Sequence, residues 1–226
     1  MVRCFAYDTI PQTVSHHFRS LMIELQIPTN ELVKKYINKF NQDERYYPAD
    51  QAIIKLFEAF PENKNLEDIL LKISVINDLY STNIFGTFKM AKHIQRLDID
   101  ELLENGDPRI VNKIALGHGI ISKKNNQEIN FYSFATKYCN WHKRDHYAIY
   151  DSFVEKVLIA YQYRDTFSDF IKADLKDFVK FKKVIFDFMT FYDLSRQNLK
   201  EIDKFLWIYG KETFPAYYTK KIKNGG

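Results

Sequence analysis

The sequence predicts an all-α protein, and three observations carry that prediction. Apolar residues recur at helical spacing along most of the chain. Only 7 Gly and 6 Pro punctuate 226 residues, few for a chain that would need the many tight turns of a β-sandwich or barrel. Hydrophobic residues make up 46% and charged residues 27%, which is enough apolar side chain to bury a core and too much for a disordered chain.

Each element follows from its own stripe. Leu32, Val33, Tyr36, Ile37 and Phe40 share one helix face, and Ile53, Ile54, Phe57 and Phe60 repeat the pattern until Pro61 ends it. Leu66, Ile69, Leu70, Ile73, Ile76 and Leu79 form the clearest stripe, running to about Tyr80. A polar break at Ser81-Thr82-Asn83 precedes a helix from Ile84 to Ile94. The stretch from Asp98 to Asp107 is acidic, and Gly106-Asp107-Pro108 reads as a turn that starts a helix at Arg109. Gly117 to Asn130 is loop-like, whereas Phe131 to Trp141 reads as a buried helix with Asn130 as its N-cap. A charged loop, Lys143-Arg144-Asp145-His146, and an extended connector, Ala148-Ile149-Tyr150, lead to Asp151. There the next helix opens, with Val154, Val157, Leu158 and Tyr161 on one face. Two helices follow, one on Phe178, Phe181, Val184, Ile185, Phe188 and Met189, the other on Leu199, Ile202, Phe205, Leu206 and Tyr209. Gly210 is placed to stop the last one, Lys200 and Lys204 point outward from it, and Lys220 to Gly226 frays. The sum is a multi-helix bundle of roughly eight to ten helices. It is a single domain over 1–226 with two lobes, 1–60 with 175–226 as one and 61–174 as the catalytic lobe.

Charge and cysteines narrow the function classes. The net charge of +4 is mild, but Lys172 to Gly226 carries 12 Lys and Arg against 7 Asp and Glu, or +5, so the remainder is at −1. A basic C-terminal third can attract phosphates. No stretch reaches the ~20 apolar residues of a membrane span, and Met1 to Asp8 lacks the apolar run of a signal peptide. Cys4 and Cys139 are too few for a disulfide scaffold or an iron–sulfur cluster, so the expected compartment is the reducing cytoplasm. His16-His17, His93, His118 and His146 lack metal-ligand spacing, and there is no phosphate-binding loop or nucleophile elbow; no cofactor and no metal are expected.

Chemistry-bearing residues concentrate in one segment, Phe131 to His142 followed by Tyr150 to Val154. Lys137 and Trp141 lie four apart, hence on one helix face. Asp151 falls at a helix N-terminus, where free N–H groups and the dipole favour an ionised carboxylate. Such a carboxylate beside an aromatic-lined cavity stabilises positive charge growing on a sugar, the electrostatic need of glycosidic cleavage. A desolvated Lys137 would have a lowered pKa and become a nucleophile.

Tyr150-Asp151-Ser152-Phe153-Val154 resembles the segment that carries the catalytic Asp in the helix-hairpin-helix DNA glycosylase superfamily. Ile73 to Thr82, with Asn77, Tyr80 and Ser81, is similar to the early helix end that lines the base pocket in that superfamily, and the matches cover about residues 66–160. The pattern departs in two places. Leu116-Gly117-His118-Gly119 lacks the proline of the usual hairpin, and Lys137 stands 14 residues before the Asp rather than 18 or 19. The resemblance implies a base-excision enzyme, a hydrolase of DNA repair. A damaged or modified base flipped out of double-stranded DNA would lose its N-glycosidic bond there. Asp151 and Lys137 would be catalytic, with Lys137 either forming a Schiff base with the sugar in a lyase step or supplying a charge that sets the Asp151 pKa. Trp141, His142, Asn77, Tyr80, Ser81 and Tyr150 would bind the substrate, and Ser133 and Lys143 would hold DNA phosphate. A monomer away from membranes is expected. Two other classes remain open: a non-catalytic DNA-binding or adaptor protein on the same scaffold, and an all-α interaction module.

Overall fold

The computed structural model describes residues 25–214. Expectations for Cys4, His16-His17, the signal-free N-terminus and the end at 220–226 lie outside the described residues.

Capping chemistry sets most helix starts. α1 (Asn30–Gln42) is capped by Thr29, whose hydroxyl accepts from the Leu32 N–H, and it buries Leu32, Val33 and Tyr36. α2 (Tyr46–Ala59) starts earlier than its apolar stripe, because the Asp43 carboxylate collects the N–H groups of Arg45 and Tyr46. Pro61 stops it at Ala59 as expected. α3 (Leu66–Leu79) is capped by Asn65 and carries Glu67 and Asp68 in its first turn, where the dipole favours acids. α4 (Thr87–Leu97) begins three residues after the expected Ile84, which instead anchors the loop before it, and runs on to a left-handed Asp98. The acidic stretch holds a short α5 (Asp100–Glu104), and α6 (Arg109–Ala115) follows Pro108.

Residues 116–131 form the irregular connection expected there, pinched by an antiparallel bridge between Ile121 and Glu128. Glu128 pins it further by accepting from the N–H groups of Gly117 and Gly119. α7 (Tyr132–His142) is buried almost all round and includes Cys139, whose thiol is fully covered. Its N-cap is Phe131 rather than Asn130; the Phe131 N–H bonds back to the Ala115 carbonyl, so the connection itself fixes the start. α8 (Ser152–Asp165) is capped by Asp151, a 3₁₀ turn spans Lys172–Lys176, α9 (Phe178–Phe191) is capped by Asp177, and α10 (Leu199–Thr213) opens with an Asn198–Glu201 capping box. The described residues thus form ten α-helices and no β-sheet. No described helix is long and apolar enough to cross a membrane.

Gly210 does not stop α10, which continues to Thr213. A Cβ there would sit 2.8 Å from Val157 Cγ2 and 3.0 Å from Phe153 Cβ, so the glycine lets α10 lie close against α8. α1 packs on the other side of α10, with the Tyr36 ring edge-on to Phe205 and Tyr209. One contiguous apolar cluster draws members from all ten helices.

Candidate functional site

The site forms where the chain leaves α7 and returns to begin α8. Ala148, Ile149 and Tyr150 run extended and buried against α7. The Asn140 side chain donates to the Tyr147 carbonyl at 2.5 Å, and the Tyr150 N–H donates to Thr136 Oγ1 at 3.1 Å. Ser133 Oγ donates to the Tyr150 carbonyl at 3.1 Å. These bonds clamp the returning segment along α7, from Asn140 in its last turn back to Ser133 in its first, so the next residue, Asp151, arrives beside Lys137.

Lys137 is only 2% exposed. Its Nζ donates to Ser133 Oγ at 2.7 Å, to the Tyr150 carbonyl at 3.2 Å and to the Ser133 carbonyl at 3.4 Å, and stands 3.8 Å from Asp151 Oδ2. The other carboxylate oxygen of Asp151 caps α8 by accepting from Phe153 N–H at 2.9 Å. Burial lowers the Lys137 pKa, against the attraction of Asp151 and Asp203 and with the repulsion of Lys200. A lysine held this way carries a larger neutral fraction than one in water, which is what amine nucleophiles require.

Three further elements close around the pair. Tyr80, at the C-terminal end of α3, sets its ring 5.4 Å from Lys137 Nζ. Trp141, one turn along α7, lies beneath the Lys200 ammonium at 4.1 Å and the Arg144 guanidinium at 5.2 Å. Its indole N–H is buried beside the Tyr80 hydroxyl without a well-formed hydrogen bond. From α10, Asp203 joins the cluster, with Lys200 Nζ 3.8 Å from its carboxylate. Burial pushes Asp203 up to about 6; Lys200 and Lys137 resist the shift, while Asp151 and Asp50 add to it. Asp50 on α2 takes both Lys200 at 3.3 Å and Lys204 at 3.4 Å. Lys200 and Lys204 therefore turn inward along the bundle rather than outward, because a buried carboxylate on another helix attracts them and their ammonium groups lie over the Trp141 and Phe40 rings.

A cavity of about 430 Å³, within the size range of small-molecule sites, flanks this seam. Asn41, Arg144, Asp145, Asn198, Lys200 and Lys204 line it, and Lys200, Lys204 and Arg144 are the residues it shares with the cluster around Trp141 and Asp50. The Lys137–Asp151 pair is not part of its wall.

The structure thus brings together Asp151, Lys137, Ser133, Tyr150, Tyr80 and Trp141. Ser133 spends its hydroxyl inside this network, between Lys137 and the Tyr150 carbonyl. Tyr150 gives the site its carbonyl, while its hydroxyl donates to Glu155 and its ring lies under Lys176 Nζ at 3.9 Å. His142 sits on another side of α7, against Phe57 and Tyr138, with Nε2 3.4 Å from the buried Lys72 ammonium. Burial and the neighbouring Lys72 and Lys143 hold its imidazole well below the usual range, hence neutral. Asn77 staples the 80–86 loop: its Oδ1 accepts from Thr82 Oγ1 and Ile84 N–H, and its Nδ2 donates to the Ile84 carbonyl. Ser81 is exposed in that loop with φ 49°, and Lys143 pairs with Glu104. Sequence reasoning missed Asp203, Lys200 and Asp50. The spacing of Lys200, Asp203 and Lys204 reads as a solvated helix face, and nothing local marks Asp50 as their partner.

Three comparisons bear on this chain. A family profile described as HI_0787_N, N-terminal domain, matches residues 32–146, a range that contains Lys137, Tyr80 and Trp141 and ends before Asp151. A Haemophilus influenzae protein described as uncharacterized is 46% identical over 151 residues, covering 66% of this chain and 70% of that protein. No solved structure matches.

Proposed function

We propose a function from the chain's own geometry, on the premise that the chain belongs to the HI_0787_N family. It cleaves the N-glycosidic bond of a damaged or modified base in DNA. The observation that carries this reading is the buried Lys137 amine 3.8 Å from an N-cap carboxylate, with the Tyr80 ring alongside. In this reading Asp151 stabilises positive charge growing on the deoxyribose as the base departs with the bonding electrons and a proton. Lys137, once neutral, bonds to the exposed C1′; the ring oxygen then leaves C1′ and takes a proton, giving a Schiff base. Ser133 and the Tyr150 carbonyl hold the amine in place until substrate arrives. The scaffold is read as a divergent helix-hairpin-helix glycosylase type, since Tyr80 at the end of α3 faces the pair and α8 carries the carboxylate at its N-cap, in the same chain order. A monomer acting on double-stranded DNA in the cytoplasm, without a cofactor, fits the same reading.

Base release and strand nicking on a panel of modified duplexes test it. Asp151→Asn is expected to lower turnover by about 100-fold or more, with the fold retained by circular dichroism because Asn still caps a helix. Borohydride should trap a covalent adduct with the wild type and none with Lys137→Gln. Turnover unchanged in Asp151→Asn, or no base released from any duplex, rejects the reading. A second reading has its own observation: three oxygen acceptors satisfy the Lys137 ammonium fully, as in a structural staple between α7 and α8. It predicts that both substitutions lower stability and that no adduct forms.

A further inference from the structure

We propose that the 80–86 loop and the outer face of α4 form a docking surface for an unpaired stretch of a DNA strand, with Phe85 stacking on a base and Lys89, Lys92 and Arg96 following the phosphates. The inference rests on the reading of Lys137 and Asp151 as the cleaving pair, because the loop starts at that pair and ends at this face.

The loop is built to present one ring. Tyr80 at its start faces Lys137, and Asn77 then fixes the chain through three hydrogen bonds to Thr82 and Ile84. Ser81 and Asn83 take left-handed backbone angles, φ 49° and 58°, and Asn83 Nδ2 closes onto the Ser81 carbonyl at 2.9 Å. Ile84 is 1% exposed and plugs the core, so the next side chain is turned outward. Phe85 is 92% exposed. An aromatic ring held out by a loop that Asn77 and Asn83 pin through hydrogen bonds loses little conformational entropy when a partner covers it.

Charge completes the surface. Phe88, Lys89, Lys92 and Arg96 are all exposed on α4, while Met90, Ala91, His93 and Ile94 face the core. The sequence of α4, Thr87–Leu97, contains no Asp or Glu, and among the described residues Lys89, Lys92 and Arg96 form no ion pair within 4.0 Å. Lys92 Nζ stands 4.9 Å from the Phe88 ring, and Lys89 Nζ donates to the Gly119 carbonyl at 3.2 Å, which orients two of the three cations. From Lys89 to Arg96 the helix rises on the order of 10 Å. Cations along a line that starts at two exposed aromatic rings suit a polyanion whose bases have free faces. The rings are too few to anchor the protein in a bilayer.

Fluorescence anisotropy with a labelled single-stranded DNA of about 20 nucleotides, longer than the sites of about 4–16 nucleotides that single folds cover, tests the surface. Phe85→Ser should weaken binding by about 5-fold or more. The triple substitution Lys89→Gln, Lys92→Gln, Arg96→Gln should flatten the plot of log affinity against log salt by about 2. Both sets lie on exposed positions, and thermal melts verify that the fold is retained. Variants that match the wild type in affinity and salt slope, or a wild type that binds phosphatidylserine vesicles and not the strand, overturn the inference. Base release measured on the same samples separates the two ideas. Release with α4 variants that bind like wild type removes only the surface. Strand binding that depends on α4 without any base release removes the cleaving pair and leaves the surface as that of a DNA-binding protein.

Discussion

Asp203 is a carboxyl group that holds its proton more tightly in the fold than in water. Burial raises it from an ordinary value near 3.8 to about 6, with Lys200 and Lys137 resisting and Asp151 and Asp50 assisting. The sign of its linkage to stability follows. The folded state binds this proton more tightly than the unfolded chain does, so the stabilisation is complete below about pH 3.8 and is lost as pH rises through about 6. Asp203→Asn, neutral at every pH, should melt close to the wild type near pH 4 and several degrees above it at pH 7. A variant that melts lower at pH 7 would mean that the Lys200 contact outweighs burial. At this scale the sequence was most informative where partners are local. The approach of Lys137 to Asp151 follows from a helix, a short return and an N-cap, all visible as Lys137, the extended 148–150 connector and Asp151. The inward turn of Lys200 and Lys204 was illegible because their partner, Asp50, belongs to a helix distant in the chain. His142 shows the same limit, since its neighbour Lys72 comes from α3.

At the scale of elements, stripes and caps located most helices, and Asp151 and Pro61 behave as their chemistry requires. Errors arose where a tertiary contact replaced a local signal. Asn130 is bypassed because Phe131 bonds to the Ala115 carbonyl across the connection. Gly210 marks a close approach and not an end, a distinction that only the neighbouring α8 reveals. Gly210→Ala therefore tests two opposed effects. Helix propensity favours alanine by ~1 kcal/mol, whereas a methyl group 2.8 Å from Val157 and 3.0 Å from the Phe153 carbonyl forces α8 and α10 apart. Overpacking of that kind costs about 1–3 kcal/mol. The net result should be a loss of up to about 2 kcal/mol in urea unfolding; a gain would show that the interface yields.

For the molecule as a whole, the described chain begins tied to its end. The Tyr161 hydroxyl donates to the Gln26 carbonyl at 2.7 Å and the Gln26 N–H donates to the Tyr209 hydroxyl at 2.9 Å, while α1 lies on α10. With every described helix contributing to one apolar cluster, calorimetry should record a single transition whose van't Hoff and calorimetric enthalpies agree. Two resolved transitions would show that the helices on either side of α7 melt independently. The aromatic content announced a large core in the sequence, but which helices meet across it depended on long-range packing that no spacing rule encodes. Cys139 lies in α7, fully covered, with its thiol pushed up by burial. Alkylating reagents act on the thiolate, so they reach this sulfur only in molecules that have come apart around α7. The rate at which Cys139 is modified is thus a clock for opening of the bundle centre, already written into the natural chain.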